Sequence, residues 1–335
     1  MTPLVLLALT LLAQPAVAAL TEAPRLAAVY DAILSAEFDE AESRLRAACP
    51  PAPAGACAAL EVVELWWRIN IYPESRLLDK RFSDAAAAAV AGNNAWTARE
   101  PQRAEAWFYL AGAYAPLVQW RILRGDRLAA ARDGNRIRAA LERALALDPT
   151  LGDAYFGIGL YHYYADVAPA YAKVLRWFLL LPGGDRQRGL REMTTAREQG
   201  ELLKGEADYQ LHLVYLWYEN RPADAIALLE SLDRRYPTNP LFLQRIAEAR
   251  DVYMHDAQGS ADAWRALLDR ARERRVYMPS IAETRARLGL AAALITMGNL
   301  DAAHAQLQIV IDAKPVAPVG ARARAEALLR QTHRQ

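Results

Sequence analysis

Cysteine and lysine are almost absent: the 335 residues hold two of the first and four of the second, against 36 arginines. Two cysteines exclude a disulfide-dense miniprotein and a four-thiolate zinc site. Charge of one sign is missing too. Lys+Arg number 40 and Asp+Glu 39, a formal net charge of +1, so no whole-chain field draws the protein to nucleic acid and no nucleic-acid partner is expected. Runs of β-branched residues are scarce, which argues against a sheet. No G-x-S-x-G, H-E-x-x-H, P-loop or G-x-G-x-x-G is present, so no catalytic residue, cofactor or metal ligand is expected. His212, His255, His304 and His333 stand alone, without ligand spacing.

What is present begins with an apolar run from Leu4 to Leu12, broken only by Thr10 and followed by Gln14-Pro15 and Ala16-Val17-Ala18. The run stops well short of the roughly 20 residues a spanning helix needs, and the small-x-small triplet resembles a secretory cleavage site. Residues 1–18 therefore read as a signal peptide cleaved after Ala18, although they hold no Lys or Arg. Ala19 offers no thiol for lipid attachment. The mature chain is expected to be exported, soluble and periplasmic. Cys49 and Cys57 flank a Pro- and Ala-rich turn. Even count, close spacing and an oxidising compartment favour a disulfide between them, which would stabilise the fold by roughly 2–3 kcal/mol.

From Leu26 onward apolar residues recur at three- and four-residue spacing, with Pro or Gly at the joins, the pattern of an all-α chain. Trp107, Leu110, Ala111 and Tyr114 place an aromatic, a Leu, a small residue and a Tyr at 0, +3, +4 and +7; Tyr155, Ile158, Gly159 and His162 repeat the series. A second series is small, apolar, Ala and Pro at 0, +4, +7 and +12. Ala41, Leu45, Ala48 and Pro53 fit it, with variants at Ile137-Leu141-Ala144-Pro149, Ala225-Leu229-Leu232-Pro237 and Ala303-Leu307-Val310-Pro315. With these two signatures the mature chain resembles a tetratricopeptide-repeat protein of an exported bacterial type. The resemblance implies one domain over 19–335, a right-handed solenoid of antiparallel helix hairpins with about five or six irregular repeats and a C-terminal capping helix. The prolines at 53, 149, 237 and 315 are not spaced by multiples of the usual period of about 34, so helical insertions are expected near 115–134 and 165–186. Pro169, Lys173-Val174-Leu175, Gly184-Asp185-Arg186 and Gly189-Leu190 bear a fainter likeness to a eukaryotic tetratricopeptide-like family implicated in inclusion and lipid-droplet clearance, which is given little functional weight.

At about 100° per residue, positions +1, +5, +8 and +9 fall beside the packing stripe, on the face that lines the concave groove of stacked hairpins. That face collects Phe108 and Gly112, then Phe156, Leu160, Tyr163 and Tyr164, then Gln210, Val214, Trp217 and Tyr218. Rings in a groove supply contact area for a peptide or an apolar tail, and rings in a core supply packing; both readings stay open. Arg121, Arg124, Arg127 and Arg132 lead a basic cluster that continues to Arg143, either an anion-binding patch or a solvated face. Residues 174–181 are strongly apolar, either buried or offered to a membrane surface or partner. His162 stands where the repeat has tyrosine, so a hydrogen-bonded core imidazole is expected.

These features fit a non-enzymatic exported scaffold that holds a peptide segment or a subunit of an envelope complex in its groove. A peripheral membrane or lipid-handling protein using residues 174–181 and the arginines is the alternative. An α-helical hydrolase or lyase on a toroid-like array is the third reading.

Overall fold

Small residues at fixed helical spacing let helices approach closely, and here they build a stack of hairpins. A computed structural model describes residues 20–167, 183–313 and 318–332. The signal-peptide reading and the apolar stretch at 174–181 lie outside the described residues. Fifteen helices and no strand are found among them. They pair as α1 (Ala23–Leu34) with α2 (Phe38–Ala48), α3 (Ala54–Ile71) with α4 (Asp79–Arg99), and α5 (Ala104–Arg124) with α6 (Arg127–Leu147). Next come α7 (Ala154–Val167) with α8 (Arg186–Gln199), α9 (Lys204–Trp217) with α10 (Pro222–Arg235), α11 (Pro240–Met254) with α12 (Ala257–Arg272), and α13 (Pro279–Thr296) with α14 (Leu300–Asp312). α15 (Ala321–Thr332) covers the last pair, touching both α14 and α13. Each helix packs on the next, and first helices of neighbouring hairpins also touch, as α1 with α3 and α3 with α5. The fold is thus an all-α solenoid of antiparallel hairpins.

The signature positions do what their size requires. Ala41, Ala48, Ala111, Ala144, Ala225 and Ala303 are all buried. Gly159 of α7 faces Gly189 of α8 so closely that a Cβ on either would lie within 3 Å of backbone on the other. The disulfide between Cys49 and Cys57 forms, tying the end of α2 to α3 across a Cα–Cα distance of 6.3 Å. Asp153, before α7, accepts the backbone N–H groups of Glu201, Leu202 and Leu203 at 2.8, 3.0 and 2.7 Å, joining successive hairpin turns. Asp153→Asn turns one acceptor into a donor that faces these N–H groups. It is expected to cost about 1–2 kcal/mol, read as a lowered urea midpoint with unchanged slope.

Two expectations change form. Residues 115–134 are no separate element: they are the last turns of α5 and the first of α6, each 21 residues long. The expected insertion at 165–186 begins in α7 and ends in α8. Asp185 N donates to His162 O at 3.0 Å and Arg186 N to Asp166 Oδ2 at 3.1 Å, so the chain leaves and rejoins this hairpin at one end.

The solenoid curves until its two ends meet. α1 and α3 lie across the N-terminal ends of α9, α11 and α13, on the face that in an open solenoid lines the groove. Trp67 of α3 packs on Tyr209 of α9 at 5.0 Å and on Phe242 of α11 at 6.3 Å between ring centroids. Around the rim, Arg235 Nη2 and Tyr236 OH donate to Asp31 Oδ1 at 2.9 and 2.7 Å. Asn239 Nδ2 donates to Leu34 O at 2.8 Å, and Arg285 to Ile71 O at 2.6 Å and Glu74 Oε2 at 2.7 Å. The Phe38 and Tyr277 rings meet edge to face at 4.8 Å.

Candidate partner-binding surface

Burial separates the expected groove residues into two sets. Phe108, Phe156, Tyr163, Gln210 and Val214 are buried, so for these five the reading as an open aromatic groove is corrected to packing. Phe108 rests on Tyr109 at 5.0 Å. Phe156 packs with Ala196 and Ala207, and Val214 with Tyr163, Met193 and Leu211. Gln210 Nε2 donates to Glu206 Oε1 at 3.0 Å and to Gln119 Oε1 at 3.3 Å.

Of the remaining four, Tyr164, Trp217 and Tyr218 form a ledge at the C-terminal ends of α7 and α9, and Leu160 lies mid-helix against the buried clusters. Leu160 and Tyr164 are half-buried, whereas Trp217 is 56% and Tyr218 42% exposed. Tyr218 meets Tyr163 and Tyr164 edge to face at 5.9 and 5.6 Å. The ring is held from beneath: Tyr163 OH donates to Glu219 Oε1, and Arg186 reaches both Glu219 oxygens at 2.7 Å each. The Arg186 guanidinium holds the Glu219 carboxyl below its ordinary range. Burial pushes the Tyr163 and Tyr164 hydroxyls well above the usual phenol range, so both stay neutral.

Leu216 of α9 and Ala249 of α11 share a small apolar cluster. Val252, Tyr253 and Met254 at the end of α11 are exposed as well. The sequence reading did not include these three, because no signature falls on α11.

Behind Tyr163, His162 is buried, with Nδ1 at 2.6 Å from Glu192 Oε2 and Arg188 Nε at 2.8 Å from the other Glu192 oxygen. This is the hydrogen-bonded imidazole expected from its place on the packing stripe. Among the described residues, no three His, Cys, Asp or Glu side chains converge as a metal site.

The arginine cluster divides. Arg121 pairs with buried Asp133, which Arg136 also reaches at 2.8 Å. Arg124 donates to Pro73 O, Ser75 O and Asp79 Oδ1 at 2.8–2.9 Å, fastening the α5 end to the α3–α4 turn. These two are structural ties, which corrects the patch of four. Only Arg127 and Arg132 are exposed without an ion-pair partner among the described residues. No helix among the described residues is long and apolar enough to cross a membrane.

No family model and no curated protein matches this sequence. Solved structures do resemble it. A monomeric mutant of IFIT1 with Gppp-AAAA is 14% identical at a TM-score of 0.43, over 88% of this chain and 60% of that one. Yeast Tom70 is 15% identical at 0.33, over 82% of this chain and 65% of that one. The chain thus spans less than two thirds of the length of either. Both are tetratricopeptide-containing helical repeats.

Proposed function

We propose that the protein is an exported, periplasmic scaffold without catalytic activity or cofactor, and that it captures a peptide segment or a subunit of an envelope complex on the Trp217 ledge. The observation that carries this reading is the exposure of large apolar side chains at two helix ends, Trp217 and Tyr218 after α9 and Val252, Tyr253 and Met254 at the end of α11. Large apolar side chains clustered on a surface mark interaction sites, and Trp and Tyr are the residue types that most often carry an interface's energy. Tyr218 is already oriented by Tyr163 and Tyr164, so little side-chain entropy remains to be lost on binding.

Trp217→Ala combined with Tyr253→Ala is expected to weaken capture of the envelope partner at least about tenfold, since each anchor is worth roughly 1–2 kcal/mol. Stability should change by no more than about 0.5 kcal/mol per exposed site. Capture from an envelope extract by the tagged mature chain reads the first quantity and urea unfolding the second. Equal retention of the same partner by wild type and double variant removes the ledge as the binding surface.

A further inference from the structure

Glu206 sits where the two ends of the solenoid meet, and it is only 5% exposed. Its Oε2 accepts Tyr30 OH from α1 and Trp67 Nε1 from α3, each at 3.1 Å, and its Oε1 accepts Gln210 Nε2 from its own helix at 3.0 Å. All three donors are neutral. Beyond them lie Asn70 of α3, Gln119 of α5, and the Tyr209 and Phe242 rings. The nearby cations are committed elsewhere: Arg235 to Asp31, Arg245 to Glu248 at 2.6 Å, and Arg285 to Glu74. A carboxyl is thus buried on the seam between α1, α3 and α9 with no cation among its hydrogen-bond partners.

We propose that α1 and α3 act as a built-in occupant of the concave face, held there while Glu206 is neutral, and that ionisation of this one carboxyl releases them and opens the groove. Taking a carboxylate out of water is costly, and no cation among its hydrogen-bond partners offsets that cost here. Burial accordingly pushes the Glu206 carboxyl above its ordinary value of 4.5, against the opposing pull of Gln210, Tyr30 and Trp67. In the open state water reaches the group and its affinity for a proton falls back. A proton held more tightly when closed makes closure fully stable below the ordinary value and progressively weaker as pH rises through the raised one. The other titratable groups on the seam do not follow the same course. Burial raises the Tyr30 and Tyr236 hydroxyls well above the usual phenol range, so both remain neutral near neutral pH. Arg235–Asp31 and Arg285–Glu74 are ion pairs on the rim at 2.9 and 2.7 Å.

Amide exchange on the full mature chain at about pH 5, 7 and 9 tests this, with each rate referred to the intrinsic rate at that pH. Protection of α1 amides is expected to fall by up to about tenfold per pH unit between the ordinary carboxyl value and the raised one, and to level off above it, while α12, which does not touch the seam, keeps its protection. Glu206→Gln cannot ionise and should abolish the fall. Asp31→Asn alters the rim but leaves Glu206, and should preserve it. Should the Gln variant not fold, the wild-type profile decides alone. Protection of α1 that holds constant relative to α12, or a Gln variant that follows the wild-type profile, overturns the proposal. No partner is needed, so this result and capture on the ledge can fail independently.

Discussion

Gly189→Ala is expected to destabilise the protein by about 3 kcal/mol, although the same change elsewhere in a helix stabilises it. A mid-helix glycine ordinarily costs about 0.5–1 kcal/mol relative to alanine. Here an added methyl would lie 2.6 Å from Gly159 O, 2.7 Å from Tyr163 N and 2.9 Å from Tyr163 Cβ. Two of these atoms are backbone of α7, which cannot turn aside as a side-chain tip can, so α7 and α8 must separate and the packing on both sides opens. Gly159→Ala meets Gly189 O and Met193 N at 2.8 and 2.9 Å and should behave alike. The controls lie in the same molecule: Gly92 of α4 and Gly134 of α6 have nothing within 4 Å of the added atom. Their alanine variants are expected to gain about 0.5–1 kcal/mol. Urea unfolding of the four variants reads the contrast, and a neutral Gly189→Ala would mean that the crossing yields cheaply. The same crossing sets Glu192 on His162 and brings Arg186 to Glu219 under Tyr163. Capture on the ledge should therefore weaken in Gly189→Ala even where the chain remains folded.

Much of the hairpin stack was legible because its contacts use residue size, which sequence displays directly. Ala41, Ala48, Ala225 and Ala303 are small at the places where two helices come nearest, and all are buried. The α3–α4 and α12–α13 contacts escaped because they pair unlike sizes. Gly55 of α3 lies under Trp96 of α4, and Trp264 of α12 lies on Gly289 of α13. A glycine opposite a tryptophan follows no repeat signature, yet fills the same gap. Helical geometry also gave the face holding Phe156, Tyr163, Gln210 and Val214. It could not give which neighbours bury that face: Phe156 lies against Ala196 and Ala207, and Val214 against Tyr163, Met193 and Leu211, contacts set by how successive hairpins cross. The arginines misled for a related reason: the acceptor that commits Arg124, Asp79, lies 45 positions earlier, beyond any helical spacing. Glu206, in the first turn of α9, looks in sequence like an ordinary acidic residue at a helix start. Only the fold buries it.

Trp67→Ala is expected to cost about 4–5 kcal/mol, near the upper end for removing a buried indole. The ring is 1% exposed and wedged between Tyr209 and Phe242, so its loss leaves a cavity bounded by helices that cannot all collapse inward. It also takes one of the two donors from Glu206 Oε2, leaving Tyr30 OH alone on that atom. Trp67→Phe keeps most of the contact and loses only the N–H; about 1–2 kcal/mol is expected. The difference between the two separates ring volume from hydrogen bonding. The form of unfolding carries more information than its midpoint. In an open solenoid a hairpin supports only its neighbours, so damage in α3 leaves α11 to unfold at its own midpoint. In a closed one, α3 is also a neighbour of α9 and α11, and the whole chain should melt at a single lowered midpoint. Amide protection in α11 is the measurement that distinguishes them. If α11 keeps its wild-type protection in Trp67→Ala while α1–α4 lose theirs, the two ends touch without supporting each other; if both fall together, closure is part of what holds the fold.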